Sequence, residues 1–290
     1  MPELPEVETV RKGLAVRLAN FYVKEVEICR DNAIASPGGS KEFAEMMRGV
    51  LVCKWSRRGK YLIATLKRNK SIAHKKLIEI NAGFWVVHLR MTGQFKWLEK
   101  KTPACPYTRV RLWNQEDKEI RFVDVRSFGQ MWWIPPSQKP ENIISGLQKL
   151  GPEPFSKDFN PSYLHKQLEG RTRPIKSTLL DQSVIAGVGN IYADESLFSS
   201  GILPQTPSGQ LNKTQIKRLC TSLVEVLRIS IGEGGTTFSD FRNLEGGNGK
   251  YGGMAWVYRR GKQPCRKCGS IIKRESLSGR GTHWCPKCQR

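Results

Sequence analysis

Three residues at the start of the chain could do carbonyl chemistry. The sequence opens Met1-Pro2-Glu3-Leu4-Pro5-Glu6, and removal of Met1 would leave Pro2 with a free secondary amine. An α-amino group has an unperturbed pKa of about 7.7–8.0, against about 10.4 for lysine, so much of it is neutral near physiological pH. Amines of this kind attack carbonyl carbon and form Schiff bases. Glu3 and Glu6 lie three residues apart and share one face if the segment is helical. The same residues also make an ordinary helix start, with Pro5 in the first turn and the acids at the positive end of the dipole. On this segment alone both readings stand.

A second constellation lies near the other end. Cys265-x2-Cys268-x16-Cys285-x2-Cys288 has the spacing of a tetrahedral four-thiolate zinc site. Four cysteines leave no open coordination position, so the expected zinc is structural rather than catalytic. Between the knuckles, Ser278-Gly279-Arg280-Gly281-Thr282 reads as a glycine-flanked turn. An arginine presented this way suits a phosphate, although an exposed arginine on a turn is the plain alternative. The other four cysteines, Cys29, Cys53, Cys105 and Cys220, are scattered and read as reduced thiols of a reducing compartment.

Weaker signals lie between. In Gly187-Val188-Gly189-Asn190-Ile191-Tyr192, Asn190 stands where a helix begins, either as an N-cap or, with the exposed N–H groups, as a phosphate ligand. Lys60 follows a basic turn, Ser56-Arg57-Arg58-Gly59. In His88-Leu89-Arg90-Met91-Thr92-Gly93, Met91 could fill a core or wedge between bases. Asp124-Val125-Arg126-Ser127-Phe128-Gly129 offers an arginine to read a base and an aromatic to hold the stack apart.

Composition narrows the partner. The 290 residues carry 48 Lys and Arg against 26 acids, a formal charge of +22. The excess runs along the whole chain, so it should cover a folded surface that attracts polyanions. No apolar run approaches the length of a membrane-spanning helix, and residues 1–30 show no secretory signal. Nucleic acid is the expected partner, and a membrane is not.

The elements that must position these residues fall into two styles. Val7, Val10, Leu14 and Leu18 predict an amphipathic helix over 3–18. Short β-rich runs follow at Tyr22–Ile28, Val50–Trp55, Tyr61–Leu66, Phe84–Leu89, Arg109–Trp113, Ile120–Val123 and Gln130–Ile134, as in a sandwich or barrel. Lys67–Glu79 reads as a basic surface insertion between two of them. After Pro135-Pro136 the periodicity turns helical, over Pro161–Leu168, Ile175–Ile185, Tyr192–Ser200 and Thr214–Ile231. A glycine-rich stretch from Gly232 to Gly253 marks a mobile loop. The fold expected is α+β. Its domains are a helix-led β-sandwich over 1–135, a linker over 136–150, a helical DNA-binding domain with the glycine-rich loop over 151–253, and a zinc-finger β-hairpin over 254–290.

Taken together and in order, these motifs resemble the formamidopyrimidine-DNA glycosylase family, bacterial enzymes that remove oxidised purines. The resemblance runs essentially end to end and adds Leu150-Gly151-Pro152-Glu153-Pro154 and Gly234-Gly235-Thr236-Thr237 to the motifs above. It implies a helix–two-turn–helix in the helical domain and DNA in the cleft between domains. By position, Pro2 would be the nucleophile, Glu3 the acid–base group, and Glu6 a support for the N-terminal site. Lys60, Asn190 and Arg280 would hold phosphates around the flipped nucleotide, and His88 would join the DNA contacts. Met91, Arg126 and Phe128 would fill the vacated space and touch the opposite cytosine, with Lys176 near the lesion.

The implied chemistry is base flipping, attack of Pro2 on the sugar C1′ and successive eliminations cutting the strand on both sides. It needs one structural zinc and no redox or nucleotide cofactor. The expected partner is damaged double-stranded DNA, bound by a monomer, in the bacterial cytoplasm at the nucleoid. Three departures stand out: the basic stretch 67–79, Glu245-Gly246 in a loop where the family often has Asp-Gly, and Tyr258-Arg259-Arg260 in place of Tyr-Gly-Arg. Two rivals remain: an endonuclease VIII-like glycosylase of oxidised pyrimidines, and a catalytically silent DNA-binding protein that keeps the zinc finger and basic cleft, which retention of Met1 would support.

Overall fold

The computed structural model describes residues 1–71, 77–99, 102–237 and 241–290. The chain folds into two compact units. The first comprises Met1–Pro2, Glu6–Gln148 and Thr236–Gly249, and the second Glu3–Pro5, Lys149–Gly235 and Lys250–Arg290.

Helix α1 (Leu4–Arg17) forms where expected, and Val7, Val10, Leu14 and Leu18 are all buried. In the first unit it joins two antiparallel sheets. One has the order β1 (Phe21–Tyr22), β3 (Leu51–Arg58), β4 (Tyr61–Ser71), β5 (Leu77–His88) and β9 (Gln130–Ile134). The other runs β2 (Glu25–Ile28), β7 (Thr108–Trp113), β8 (Glu119–Asp124) and β6 (Gly93–Leu98). A short α2 (Gly39–Met47) covers one end, and α3 (Pro140–Ile143) and α4 (Ser145–Gln148) close the unit.

The inner faces of the two sheets share one core, which holds Val52, Leu62 and Trp85 from one and Phe95, Leu112 and Phe122 from the other. Trp85 meets Phe95 edge to face with ring centres 5.8 Å apart. Each fully buried side chain of this size contributes about 1.5–3 kcal/mol.

The structure departs from the sequence expectation at four places in this unit. The run Tyr22–Ile28 is two strands in different sheets. Val23 N–H donates to Val50 O in one sheet and Lys24 N–H to Trp113 O in the other, so the chain turns a corner of the sandwich there. Helix α2 and strand β6 were not anticipated. The stretch 67–79 continues β4 and β5, pairing Lys67 with Asn81, Arg68 with Ile80 and Lys70 with Ile78. Over 67–71 and 77–79 it is therefore ribbon rather than loop, while 72–76, with Lys75 and Lys76, lie outside the described residues. Finally, the expected block 151–253 divides, because Thr236–Gly249 groups with the first unit. Phe241 and Leu244 enter the sandwich core, and Leu244 packs within 3.2 Å of where a side chain on Gly13 would begin. Phe238, Ser239 and Asp240 of the glycine-rich loop lie outside the described residues.

In the second unit α5 (Pro161–Leu168) is capped by Asn160, whose side chain accepts Tyr163 N–H at 2.9 Å. Helix α6 (Ile175–Leu179) is shorter than the expected Ile175–Ile185. It stops because Asp181 captures Ser183 N–H and Oγ, while Gln182 accepts Gly187 N–H and donates to Val188 O. These contacts replace helical bonds with a loop. Helix α7 (Asn190–Ser200) is buried nearly all round. Helix α8 (Lys213–Gly232) starts with an Asn212/Gln215 capping box and buries Ile216, Leu219, Leu223 and Leu227 on one stripe. After α9 (Tyr251–Met254), strands β10 (Lys273–Leu277) and β11 (Arg280–Trp284) form a hairpin. Its own core holds Phe198, Val257, Ile272, Cys265 and Cys285.

Candidate active site

In the second unit, Glu3 is 3% exposed. Its carboxylate accepts Ile191 N–H at 2.9 Å and Tyr192 N–H at 3.4 Å, the free donors of the first turn of α7. The anion that this helix start attracts is thus the protein's own. The backbone of Gly187–Asn190 is shaped for the purpose. Gly187 adopts φ +86° and a side chain there would meet Leu4, whose N–H donates to Gly187 O at 3.0 Å. A methyl on Gly189 would lie 2.3 Å from the Glu3 carboxyl carbon.

Asn190 differs from the N-cap expectation. Gly189 is the cap, and Asn190 is the first helical residue. With its cap role taken, the side chain donates to Gly281 O at 2.9 Å and lies 3.5 Å from the Tyr258 hydroxyl. Lys176 is 1% exposed. Its ammonium donates to Gly281 O at 2.9 Å and to Thr282 Oγ1 at 2.8 Å, and pairs with Asp194 at 2.7 Å. Burial lowers its pKa while Asp194 supports the charge. Two hydrogen bonds and one ion pair therefore hold the ammonium inside the protein. Asp194 also holds His283, at N–H and ring nitrogen.

These contacts fix the strand that begins with Arg280, which is exposed. Ser278 and Gly279 both have positive φ, 50° and 73°, the two-residue turn that suits hairpin twist. The structure thus brings Glu3, Asn190, Lys176 and the Arg280 turn together in one unit.

In the first unit, Pro2 is buried and Met1 half-exposed. Glu6 is buried, and its carboxylate accepts Thr236 N–H at 2.7 Å. Lys60 is buried at the β3–β4 turn, where Arg57 braces Gly59 O at 2.9 Å. His88 is buried, and burial, then Arg90, then Lys60 push its pKa down to about 3. Its Nδ1 accepts Arg90 N–H at 3.0 Å, so in the neutral ring Nε2 carries the proton and is a donor.

Asp124, fully buried, builds the turn that follows β8. It accepts Thr92 Oγ1–H, Arg126 N–H and, at 2.6 Å, Gly129 N–H. The turn presents Phe128, 51% exposed, with the Arg126 guanidinium 4.9 Å from its ring centre. Met91, Phe128 and Met1 line one pocket with Asn32, Arg90 and Ser127.

Sequence reasoning missed two organising acids, Asp124 and Glu195. Fully buried Glu195 accepts the N–H groups of Trp256, Val257 and Tyr258 at 2.8–2.9 Å and the Tyr251 hydroxyl at 3.2 Å. Thus it places Tyr258 beside Asn190. Its signal was the pair Asp194-Glu195 set between Tyr192-Ala193 and Leu197-Phe198.

The four cysteine sulfurs of Cys265, Cys268, Cys285 and Cys288 lie within 4.8 Å of one another, with two edges of 3.9 and 3.4 Å. A tetrahedral zinc with Zn–S of about 2.3 Å needs edges of about 3.8 Å. The donor set therefore fits one structural zinc.

Three family models cover most of the chain: the formamidopyrimidine-DNA glycosylase N-terminal domain over residues 1–131, its H2TH domain over 150–242, and a zinc finger found in FPG and IleRS over 262–290. A formamidopyrimidine-DNA glycosylase of Prochlorococcus marinus (strain MIT 9313) is 64% identical over 292 residues, covering 100% of both chains. A mutant of the Lactococcus lactis FPG, in complex with Fapy-dG containing DNA, is similar in structure. Its TM-score is 0.88 at 31% identity, with all of both chains covered. The wild-type Lactococcus lactis FPG in complex with DNA containing an oxidised pyrimidine gives 0.87, again at 31% identity and full coverage. With its sandwich, its helical and zinc-finger segments and its relatives all in agreement, the chain belongs to the formamidopyrimidine-DNA glycosylase family.

Proposed function

We propose that the protein is a bifunctional DNA glycosylase and abasic-site lyase that removes oxidised purines, 8-oxoguanine and formamidopyrimidines, opposite cytosine. The observation that carries this reading is the anchored Glu3 carboxylate, one peptide bond after the proline that becomes the chain terminus when Met1 is removed. A damaged base must leave the stack to be reached, and damage lowers that cost. Neutral Pro2 attacks C1′ of the flipped nucleotide, forming the N–C1′ bond as the bond to the base breaks. The base leaves with a proton, and loss of the ammonium proton and opening of the sugar give an iminium. The iminium acidifies a C2′ proton, whose loss expels the 3′ phosphate. The conjugated iminium so formed acidifies the C4′ proton, whose loss expels the 5′ phosphate, and Glu3 moves these protons.

Lys60, neutral His88, Asn190 and Arg280 hold the phosphates around the flipped nucleotide. Met91, Arg126 and Phe128 fill the gap and meet the opposite base. Glu6 supports the N-terminal segment through Thr236. Lys176 acts as a positioning residue for the Arg280 turn, since it is buried and held by Gly281, Thr282 and Asp194. Zinc, when bound, holds the knuckles that carry this turn. The proposed bounds are 1–135 for the catalytic sandwich, 151–253 for the helical DNA-binding segment, whose loop residues Thr236–Gly249 group with the sandwich unit, and 254–290 for the zinc finger.

Oxidised pyrimidines form a second reading, favoured by the relative bound to such DNA. The test is a duplex with one 8-oxoguanine opposite cytosine. Cleavage leaving phosphate on both sides of a one-nucleotide gap is expected. An intact abasic strand would remove the lyase half of the proposal. Cleavage confined to an oxidised-pyrimidine duplex would replace the purine reading.

A further inference from the structure

A pocket in the second unit lies at the C-terminal end of α7, opposite the end that holds Glu3 and Asn190. Arg218 of α8, Lys267 and Lys287, one on each zinc knuckle, and Arg290 converge there around Gly201 and Cys288. No acid lines it. Among the described residues, none of the four cationic side chains has an ion pair or hydrogen bond. Elsewhere in the chain, arginines and lysines find carboxylates readily, as Arg111 and Arg121 do with Glu119.

The four cations stand on fixed backbone. Lys267 and Lys287 are inside the two Cys-x2-Cys loops that a zinc would clamp. Gln289 is buried, donating to Ile202 O and accepting Cys285 N–H, both at 2.8 Å. Arg290 N–H donates to Gly201 O at 3.1 Å. The negative end of the α7 dipole opposes an anion here by about 0.3–1 kcal/mol. That term is blunted because Gly201 and Ile202 N–H groups cap the last carbonyls at 3.0 Å, and four cations outweigh it.

From this constellation we infer a second phosphodiester-binding site, outside the contacts to the damaged nucleotide. Two guanidinium forks and two ammonium groups without a balancing acid match phosphate oxygens. The 11 residues of α7 separate the pocket from Asn190 by about 16 Å. That exceeds the Debye length of about 8 Å at physiological salt, so the two ends act as separate charge centres. The site serves undamaged backbone, either the flank of the same duplex or a second segment held during search. It rests on the proposed function only in taking DNA as the polyanion.

The test compares the full-length protein with an R218Q/K287Q variant whose zinc content matches wild type. Binding to a long undamaged duplex should weaken about tenfold, and the slope of log K against log salt should become shallower by about two. Excision from a short lesion duplex should be unchanged. Retention of a labelled second duplex by the preformed short-duplex complex marks a second segment, and its absence marks a flank. Unchanged affinity and slope would overturn the site, and so would an equal loss on the short duplex. Because the binding arm uses undamaged DNA, it reads out even if the excision chemistry proposed above is wrong.

Discussion

Substitution of Gly189 by alanine tests the Glu3 arrangement without touching a reacting group. Gly189 has φ −134° and ψ −163°, extended backbone that alanine adopts freely, so any effect is steric. The new methyl would stand 2.3 Å from the Glu3 carboxyl carbon and 2.5 Å from Oε1. Relief to ordinary contact distances requires the carboxylate to retreat by about 1 Å, which breaks its bonds to Ile191 and Tyr192 N–H. Hydrogen bonds to a charged group contribute about 1.5–3 kcal/mol each, so loss of the two should lower stability by about 3–6 kcal/mol. A displacement of this size at an acid–base group costs on the order of a hundredfold in rate, or about 2.7 kcal/mol of activation free energy. Single-turnover excision of 8-oxoguanine measures the rate, and binding to a duplex with a non-cleavable abasic analogue should stay within a few-fold. In a double-mutant cycle, Glu3→Gln should add little to Gly189→Ala, because the methyl has already displaced the carboxylate. A variant that cuts at the wild-type rate, or fully additive effects, would refute the reasoning.

Asp124→Ala should lower stability by about 2–4 kcal/mol, since it leaves the buried Thr92 hydroxyl and Gly129 N–H without their acceptor. It should also erase the preference for cytosine opposite the lesion, read by comparing excision rates for the four opposite bases. His88 is neutral in the fold down to about pH 3 while the unfolded chain takes up a proton below pH 6.5. Stability from this residue is therefore complete above pH 6.5 and is lost as pH falls toward 3. His88→Gln should flatten that limb of a denaturation-against-pH series. Removal of zinc by a chelator should unfold the finger and abolish lesion binding while the circular dichroism of the sandwich persists; retained binding without metal would contradict its role.

How far the sequence foretells this arrangement depends on the kind of contact. Side-chain periodicity marked α1 through Val7, Val10, Leu14 and Leu18, and α8 through Ile216 to Leu227, because apolar stripes are written locally. The cysteine spacing marked the zinc cluster for the same reason. What escaped is decided by backbone partners distant in sequence. Nothing in Tyr22–Ile28 shows that Val23 and Lys24 bond to different sheets. Nor does Ile175–Ile185 show that Gln182 will bond to Gly187 and end the helix early. The helix-start motif Gly187–Asn190 was legible as an anion site, but not that its anion is Glu3, more than 180 positions away. Lys176 is expected near the lesion from the resemblance, but its contacts to Asp194 and Thr282 are recognisable only in the folded chain.

The central claim is that the Pro2 amine forms a covalent iminium with damaged DNA. Borohydride reduction during reaction with a duplex carrying one 8-oxoguanine opposite cytosine tests it directly, with mass spectrometry to establish that Met1 is absent. A stable protein–DNA adduct that maps to Pro2, lost in Pro2→Gly and strongly reduced in Glu3→Gln, is the result expected. An adduct that persists in Pro2→Gly, or maps to a lysine, would contradict the assignment of the nucleophile. No adduct, from protein that binds the duplex with Met1 removed, would contradict the covalent mechanism itself.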